Sequence, residues 1–594
     1  MRARALAVSV MVACAWACAA SACGPSSATR ATTAPPAAVA AATDAADGEL
    51  STAIEAFLDG YFAFRPNVAI DLGYHTYDGQ VPDRSPAAIT TELGRLRAAR
   101  TTFAAFDARE LSPRRRVEQQ LVLREIAKEI FELDVRRRPF RDPFFYLFKF
   151  SLNAYISRDY APAGERAAAM LRACKAAPAY YAQAAENLEA ALPKAWLQAA
   201  IMISGGTVQF LGGDAKQAFA ALPDEALRGE LGTCLEALAK DVAAFRDALT
   251  ARMPAATDDF RLGAENLVAM LRETEGLEVD LATLERVARE DLARNHAAIV
   301  AAAAAVDPKR DAAAVIAEAA RDKPAPDAVL AEATGQLGTL RRFLVDKQIV
   351  SLPREDVIEV RASPPFMRGN FAALGSAGAF ETAALPSYYY IAPPDPSWPA
   401  DQQRAYVMSR ADLLFTSAHE VFPGHFVQGM HERASDSRVL KTFEVYTASE
   451  GWAHYVEEMM WDAGLGDGDP RVHIGQLKNA LLRDVRFVVA LGYHAGTMTV
   501  EDATRLFIEQ AYADPKTAAQ QALRGTVDPM FLGYTLGKLV IMELRTDWLR
   551  ANPGKSLRDF HDAFLGYGEA PLAVTRRLML GDDAGPPLRA TPKK

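Results

Sequence analysis

Beyond its first 23 residues the chain has only two cysteines, Cys174 and Cys234, and neither sits in a C-x-x-C pair. That scarcity excludes a fold held together mainly by disulfides and leaves one possible bridge or two buried thiols, the free thiols being the expectation. Long hydrophobic runs are also missing after residue 20, because charges interrupt each one before the roughly 18 residues that a bilayer span needs. An excess of positive charge is also missing: the net charge is -9. A grip on phosphate backbones displaces counterions with clustered cations, so nucleic acid is not an expected partner. No internal repeat and no long block of like charge occurs. What is present is a balance of 50% hydrophobic and 24% charged residues over 594 positions, enough for several domains or one large helical enzyme. Alanine-rich stretches at 183–200 and 297–305 favour helix over strand, so a mainly α fold is expected.

The N-terminus carries Arg2 and Arg4, an apolar run from Ala5 to Ala20, then Ser21-Ala22-Cys23. This order of basic, apolar and small residues is that of an export signal over 1–22. Small residues before a cysteine also fit a bacterial lipobox in which Cys23 is lipidated, although Ala20 stands where such motifs prefer Leu. Ordinary cleavage after Ala22 is the alternative; export to the cell envelope follows from both, and membrane attachment only through Cys23.

From position 23 to 48 the chain is Ala, Thr, Ser and Pro with almost no large apolar residue, which predicts a disordered linker. Ile54, Phe57, Leu58 and Tyr61 then share one helical face. Segments 84–135, 161–200, 214–250 and 258–305 keep that periodicity, punctuated at Pro162, Gly205-Gly206, Pro254 and Pro308. Between 348 and 397, Ile349–Pro353, Val357–Val360 and Tyr388–Ile391 read as short strands of a small sheet. Tyr389 and Tyr390 would line an edge on which an extended substrate could add as a strand. Helix resumes at 401 and runs with breaks to about 580.

The informative stretch is His419-Glu420-Val421-Phe422-Pro423-Gly424-His425. A zinc hydrolase needs neutral imidazole ligands, an open position for water, and a carboxylate beside that water to take its proton. In the familiar H-E-x-x-H helix the histidines are four apart and share a face. Here they are six apart, about 120° around a regular helix. Only a break can bring them together, and Pro423, which lacks an N–H, with the permissive Gly424 is the device expected to supply it. The competing reading is a chance His-Glu before a Pro-Gly helix stop.

Downstream lies Glu450-Gly451-Trp452-Ala453-His454. A carboxylate on a second helix is the third ligand in one large class of zinc peptidases, so Glu450 is assigned to Zn2+ with His419 and His425, and Glu420 to the general base. Alone, Glu450 would pass as a first-turn acid. His454, four residues on, is a rival ligand or a group behind the ligands. His494 and Tyr534 are candidates to stabilise the charge that develops on a carbonyl oxygen. Taken singly, each also reads as a structural histidine or a core tyrosine satisfying a hydrogen bond. Arg524 could grip a substrate carboxylate or form a surface ion pair. His75, His296, His431, His473 and His561 have no ligand partner at a convincing spacing and read as structural or exposed.

With both motifs in order, the chain resembles the bacterial family catalogued as domain of unknown function 885, whose hallmark is His-Glu-x-x-Pro-Gly-His followed by Glu-Gly-Trp-Ala. Supporting stretches are Gly73-Tyr74 with Tyr77-Asp78, Arg261-Leu262-Gly263, Tyr389-Tyr390 before Pro393-Pro394-Asp395, and Tyr534 with Gly537. The resemblance implies a large, two-lobed helical fold similar to zinc metallopeptidases, with a small sheet near the cleft, a helical lobe over 49–345 and a catalytic lobe over 346–585. It implies zinc on His419, His425 and Glu450, with Glu420 as base, and does not supply a substrate. His494 matches a family histidine, but Ala490, four before it, stands where many relatives carry aspartate. The expected activity is peptide hydrolysis. The alternatives are an amidase or esterase on a non-peptide bond, and a non-catalytic, surface-anchored binding protein; an intact Glu420 disfavours the last.

Overall fold

A computed structural model describes residues 37–364 and 371–588, so the export signal and Cys23 lie outside the described residues. The first helix runs Ala37–Phe64. The linker expected up to residue 48 therefore overlaps helix from Ala37 onward. The alanines that made the segment look empty of core residues are also the strongest helix formers. The face predicted from Ile54, Phe57, Leu58 and Tyr61 is buried, joined by Leu50.

Helices then follow one another through the first half. Pro86–Ala104 starts on Ser85, whose side chain accepts from Ala88 N, and Glu225–Ala251 starts on Asp224, which accepts from Leu227 N. Gly205-Gly206 do not punctuate: both sit inside Lys194–Gly212, with no heavy atom within 4 Å of where a Cβ would be. Two mid-helix glycines cost about 1 kcal/mol each against alanine, and burial of Leu197, Ala200, Phe210 and Leu211 outweighs that. Cys174 and Cys234 are bonded, with Cα atoms 6.2 Å apart, which overturns the expectation of free thiols. They lie on Ala163–Asn187 and Glu225–Ala251, two packed helices, so neighbouring faces bring together cysteines 60 residues apart.

The small sheet has three strands, β1 Ile358–Ala362, β2 Ala372–Gly375 and β3 Ser387–Ile391, in the order β1-β3-β2. β1 runs parallel to β3 and β2 antiparallel to it. β3 is thus the central strand, and Tyr389 and Tyr390 pair on both sides instead of lining an edge. Ile349–Pro353 is not a strand. Side chains take its backbone groups: Asp562 accepts from Ser351 N at 2.8 Å, His561 Nδ1 meets Ile349 O at 2.7 Å, and His431 Nε2 meets Ser351 O at 3.0 Å.

Five helices carry the site: α1 Arg410–Glu420, α2 His425–Ala434, α3 Tyr446–Asp462, α4 Pro470–His494 and α5 Gly533–Ala551. α4 packs along Leu281–Val306 from the first half, and one contiguous hydrophobic core includes Leu50, Leu284, Leu481 and Leu544. The expected boundary at 345/346 is therefore crossed by packing. Among the described residues no helix is long and apolar enough to cross a membrane.

Candidate metal centre

α1 begins on Ser409, which accepts from Asp412 N, and ends at Glu420. Past that point the backbone doubles back: Gly424 N donates to Ala418 O at 2.9 Å, and the Phe422–Pro423 peptide bond is cis. A Cβ on Gly424 would fall 1.6 Å from His419 O and 2.4 Å from its carbonyl carbon. No side chain fits there, so this close approach requires glycine. α2 starts at His425 itself. The six-residue spacing is thus served by two helices, His419 in the last turn of one and His425 at the start of the next. Their ring centroids are 5.0 Å apart with planes at 89°.

α3 supplies the acid. Glu450 Oε2 lies 3.3 Å from His419 Nε2 and 3.6 Å from His425 Nε2. Among the described residues this is the set of three whose ligand atoms all lie within 4.8 Å of one another. Two glycines and a tryptophan position α3. A Cβ on Gly451 would meet Gly537 Cα at 2.6 Å, and one on Gly537 would meet Thr447 O at 2.1 Å, so α3 and α5 cross backbone to backbone. Trp452, fully buried, donates from Nε1 to Pro423 O at 3.0 Å. The Glu-Gly-Trp segment is therefore locked to the His-Glu-x-x-Pro-Gly-His turn through a hydrogen bond and to α5 through its glycine.

Behind the three residues lies a layer of which sequence reasoning offered only His454, as a group behind the ligands, and missed Glu457 and Arg483. Glu457 Oε1 is 2.7 Å from His419 Nδ1, and Arg483 Nη2 is 3.0 Å from the same oxygen. A proton on Nδ1 held by Glu457 leaves Nε2 free to face Glu450. Burial and Arg483 disfavour the His419 imidazolium, yet Glu450 and Glu457 outweigh them and raise it to about 9. Burial raises Glu450, but His419 and His425 hold it well below the usual carboxylate range. His454 is fully buried and 3.6 Å from Glu457. Burial, then Lys538, lowers it to about 4, which makes it a neutral neighbour of Glu457 rather than one of the converging three.

A cavity of about 540 Å³ opens onto the centre, and His419, Glu420, His425, Glu450 and Tyr534 line it. Glu420 is half-buried there. Tyr534 sits 6.3 Å, ring to ring, from His419, and its hydroxyl accepts from Arg524 Nη2 at 3.1 Å. Arg524 also lines the cavity, 3.9 Å from Asp528. His494 is not brought to the cavity. α4 continues unbroken for 11 residues past Arg483, about 16 Å along its axis. There His494 is buried against Phe260, with Nε2 3.0 Å from Gly525 O and its pKa lowered to about 4 by burial. Its Nδ1 has no partner, and Ala490 offers none. Of the other histidines, His75 meets Asp78 and Glu381, and His473 stacks on Trp461. Ala373 and Leu374 of the outer strand β2 also line the cavity.

A family model described as bacterial protein of unknown function, DUF885, matches residues 66–579. No curated protein matches the chain. In fold, the chain is similar to a candidate lipoprotein of unknown function from Shewanella oneidensis, with TM-score 0.74 and 22% identity over 89% of this chain and 99% of that one. It is also similar to a candidate lipoprotein from Colwellia psychrerythraea, with TM-score 0.72 and 18% identity over 90% and 98%.

Proposed function

We propose, from the premise that the chain belongs to the DUF885 family of bacterial proteins, that it is a zinc-dependent hydrolase of the cell envelope whose substrates are peptides. The observation that carries this reading is the meeting of His419 Nε2 and His425 Nε2 with Glu450 Oε2 at 3.3 and 3.6 Å. Ligands 2.0–2.2 Å from a tetrahedral ion lie about 3.4 Å apart, so the spacing suits a shared cation. The buried Oε2 has no hydrogen-bond partner, a costly state that a cation would relieve. Two imidazoles and one carboxylate are a donor set typical of catalytic rather than closed structural zinc.

His419, His425 and Glu450 would hold the ion, which when bound supplies Lewis acidity toward a carbonyl and a water. Glu457 fixes the His419 tautomer and its ring orientation. Glu420, adjacent to His419 and on the cavity wall, accepts a proton from water at its carboxylate and returns it to the leaving amine. Tyr534 receives its hydrogen bond from Arg524, so its own O–H proton is free to be donated to the carbonyl oxygen as negative charge develops there. The exported location draws on the leader, on a disulfide suited to an oxidising compartment, and on the two lipoprotein-described neighbours; we assign the anchor to Cys23. Glu420→Gln tests the mechanism. Zinc content is expected to stay at one per chain while peptide hydrolysis disappears, and undiminished turnover in that variant would refute the assigned base.

A further inference from the structure

Four carboxylates that the proposed chemistry does not use line the same cavity, Asp71 and a trio of glutamates that act on one another. Glu569 follows the helix Leu557–Leu565, Glu432 is in α2, and Glu444 is on the loop before α3; all three line the cavity. Glu569 is only 8% exposed, and its Oε2 has no hydrogen-bond partner. Two cations share that wall: Arg433 pairs with Asp356 at 2.7 Å, and Lys441, 5.8 Å from the Phe380 ring centroid, has no carboxylate within 4 Å among the described residues. Burial and Glu444 push Glu432 up to about 8, while burial and both neighbouring acids raise Glu569. Ionised together these acids repel one another, so the cluster keeps protons until another positive group takes their place.

The ligand is argued from what the trio lacks and from where it stands. The trio does not gather three oxygens within 4.8 Å of one another, so it is not arranged as a second metal site. The Glu569 carboxyl faces Ser449, whose Oγ is 3.5 Å from His425 Nδ1, so the acids adjoin the His425 side of the centre. Cations adjoin the His419 side: Arg483 reaches His419 Nδ1 at 3.3 Å, and Arg486 and Arg524 flank Tyr534. Arg486 is 7% exposed, lines the cavity, and has no carboxylate within 4 Å among the described residues. The cavity is thus lined by carboxyl groups on one flank of the three ligands and by guanidinium groups on the other.

We propose that Glu569, Glu432 and Glu444 form the seat for the free α-ammonium of a short peptide, which makes the protein select substrates by their unblocked amino terminus. Hydrogen-bond lengths through Ser449 and the His425 ring put the seat within about 10 Å of the point the ligands face, the reach of at most about three extended residues. The bond presented for cleavage is therefore near the amino end, and the carbonyl side of the peptide runs toward Arg486 and Arg524. This deepens the hydrolase reading and rests on it for the fate of the bound peptide.

Binding and cleavage separate the two. Zinc-loaded Glu420→Gln chain is titrated calorimetrically with tetra-alanine and with N-acetyl-tetra-alanine, and the wild type is assayed for cleavage of both. We expect acetylation to weaken binding at least tenfold, and the double variant Glu432→Gln, Glu569→Gln to lose that discrimination while unfolding at the same temperature or higher. Equal affinity for the two peptides, no binding of the free one, or discrimination that survives the double variant overturns the proposal. Preferential binding of the free peptide with no cleavage in the wild type upholds the seat and overturns the hydrolase reading; cleavage of both peptides alike does the reverse.

Discussion

Substituting Gly424 by alanine puts the geometry of the two histidines to its hardest test. The added methyl would lie 1.6 Å from His419 O, 2.4 Å from the His419 carbonyl carbon and 2.6 Å from Ala418 O. Carbon and oxygen need at least about 3 Å, so the last turn of α1 or the first of α2 must move by roughly 1.5 Å. Metal sites tolerate ligand displacements of only about 0.2 Å. Zinc affinity, read by competition with a chromophoric chelator, is therefore expected to fall at least about 100-fold. Overpacking of this kind costs about 1–3 kcal/mol. For a chain this large that lowers the Tm by only about 2 °C, because the unfolding entropy scales with length. Metal binding should collapse in a protein that remains folded. Gly205→Ala is the control: nothing lies within 4 Å of its Cβ, so zinc affinity is unchanged and the helix gains up to about 1 kcal/mol. A Gly424→Ala protein that binds zinc within threefold of wild type would refute the claim that this turn makes the site.

Three further outcomes follow from the same contacts. Glu457→Gln keeps the shape but loses the charge at 2.7 Å from His419 Nδ1; zinc affinity should drop about 10- to 100-fold with little change in KM for peptide at saturating metal. Tyr534→Phe removes the donor and leaves the ring against His419; kcat should fall about 100-fold with KM nearly constant, and an equal loss in both would assign the tyrosine to substrate binding instead. Glu432 has its folded pKa raised to about 8, first by burial and then by Glu444. Between its unfolded value near 4.5 and about 8 the folded chain holds more protons than the unfolded one, so this group's contribution to stability is lost as pH rises through that window. In metal-free protein Glu432→Gln should flatten the decline of Tm between pH 5 and 8; an unchanged slope would show that Glu432 is ordinarily ionised.

Which parts of the site were legible in the sequence depends on how far each side chain's partner lies along the chain. The break between His419 and His425 could be read because its cause, Pro423-Gly424, is local. Tyr534 could be read beside Gly537, since a glycine at a helix crossing carries the residue one turn earlier to the same contact. Glu457 left a usable sign: it lies seven residues, two helical turns, after Glu450, and so shares its face. His494 misled because it was chosen as a donor type, whereas its position is set by the unbroken length of α4. The fold errors have the same origin. Ile349–Pro353 has strand-like residues, but Asp562, His561 and His431 claim its backbone from far along the sequence. Gly205-Gly206 look like a break, but the apolar face on either side of them keeps the helix going.

The contacts give a purpose to the letters of the two hallmark segments that are not proposed ligands. Trp452 bonds Pro423 O, and Gly451 admits Gly537. Glu450, the turn between the histidines, and the helix bearing Tyr534 are thereby fixed to one another by residues outside the proposed catalytic set. Trp452→Phe isolates this claim. It removes one buried N–H···O bond and leaves Pro423 O unsatisfied, a cost of about 1–3 kcal/mol, while Glu450 and both histidines stay intact. If the segments act as one locked unit, zinc affinity falls in that variant although no ligand has changed; if affinity is unaltered, the tryptophan serves the core alone and the convergence of the three ligands is set by helix packing.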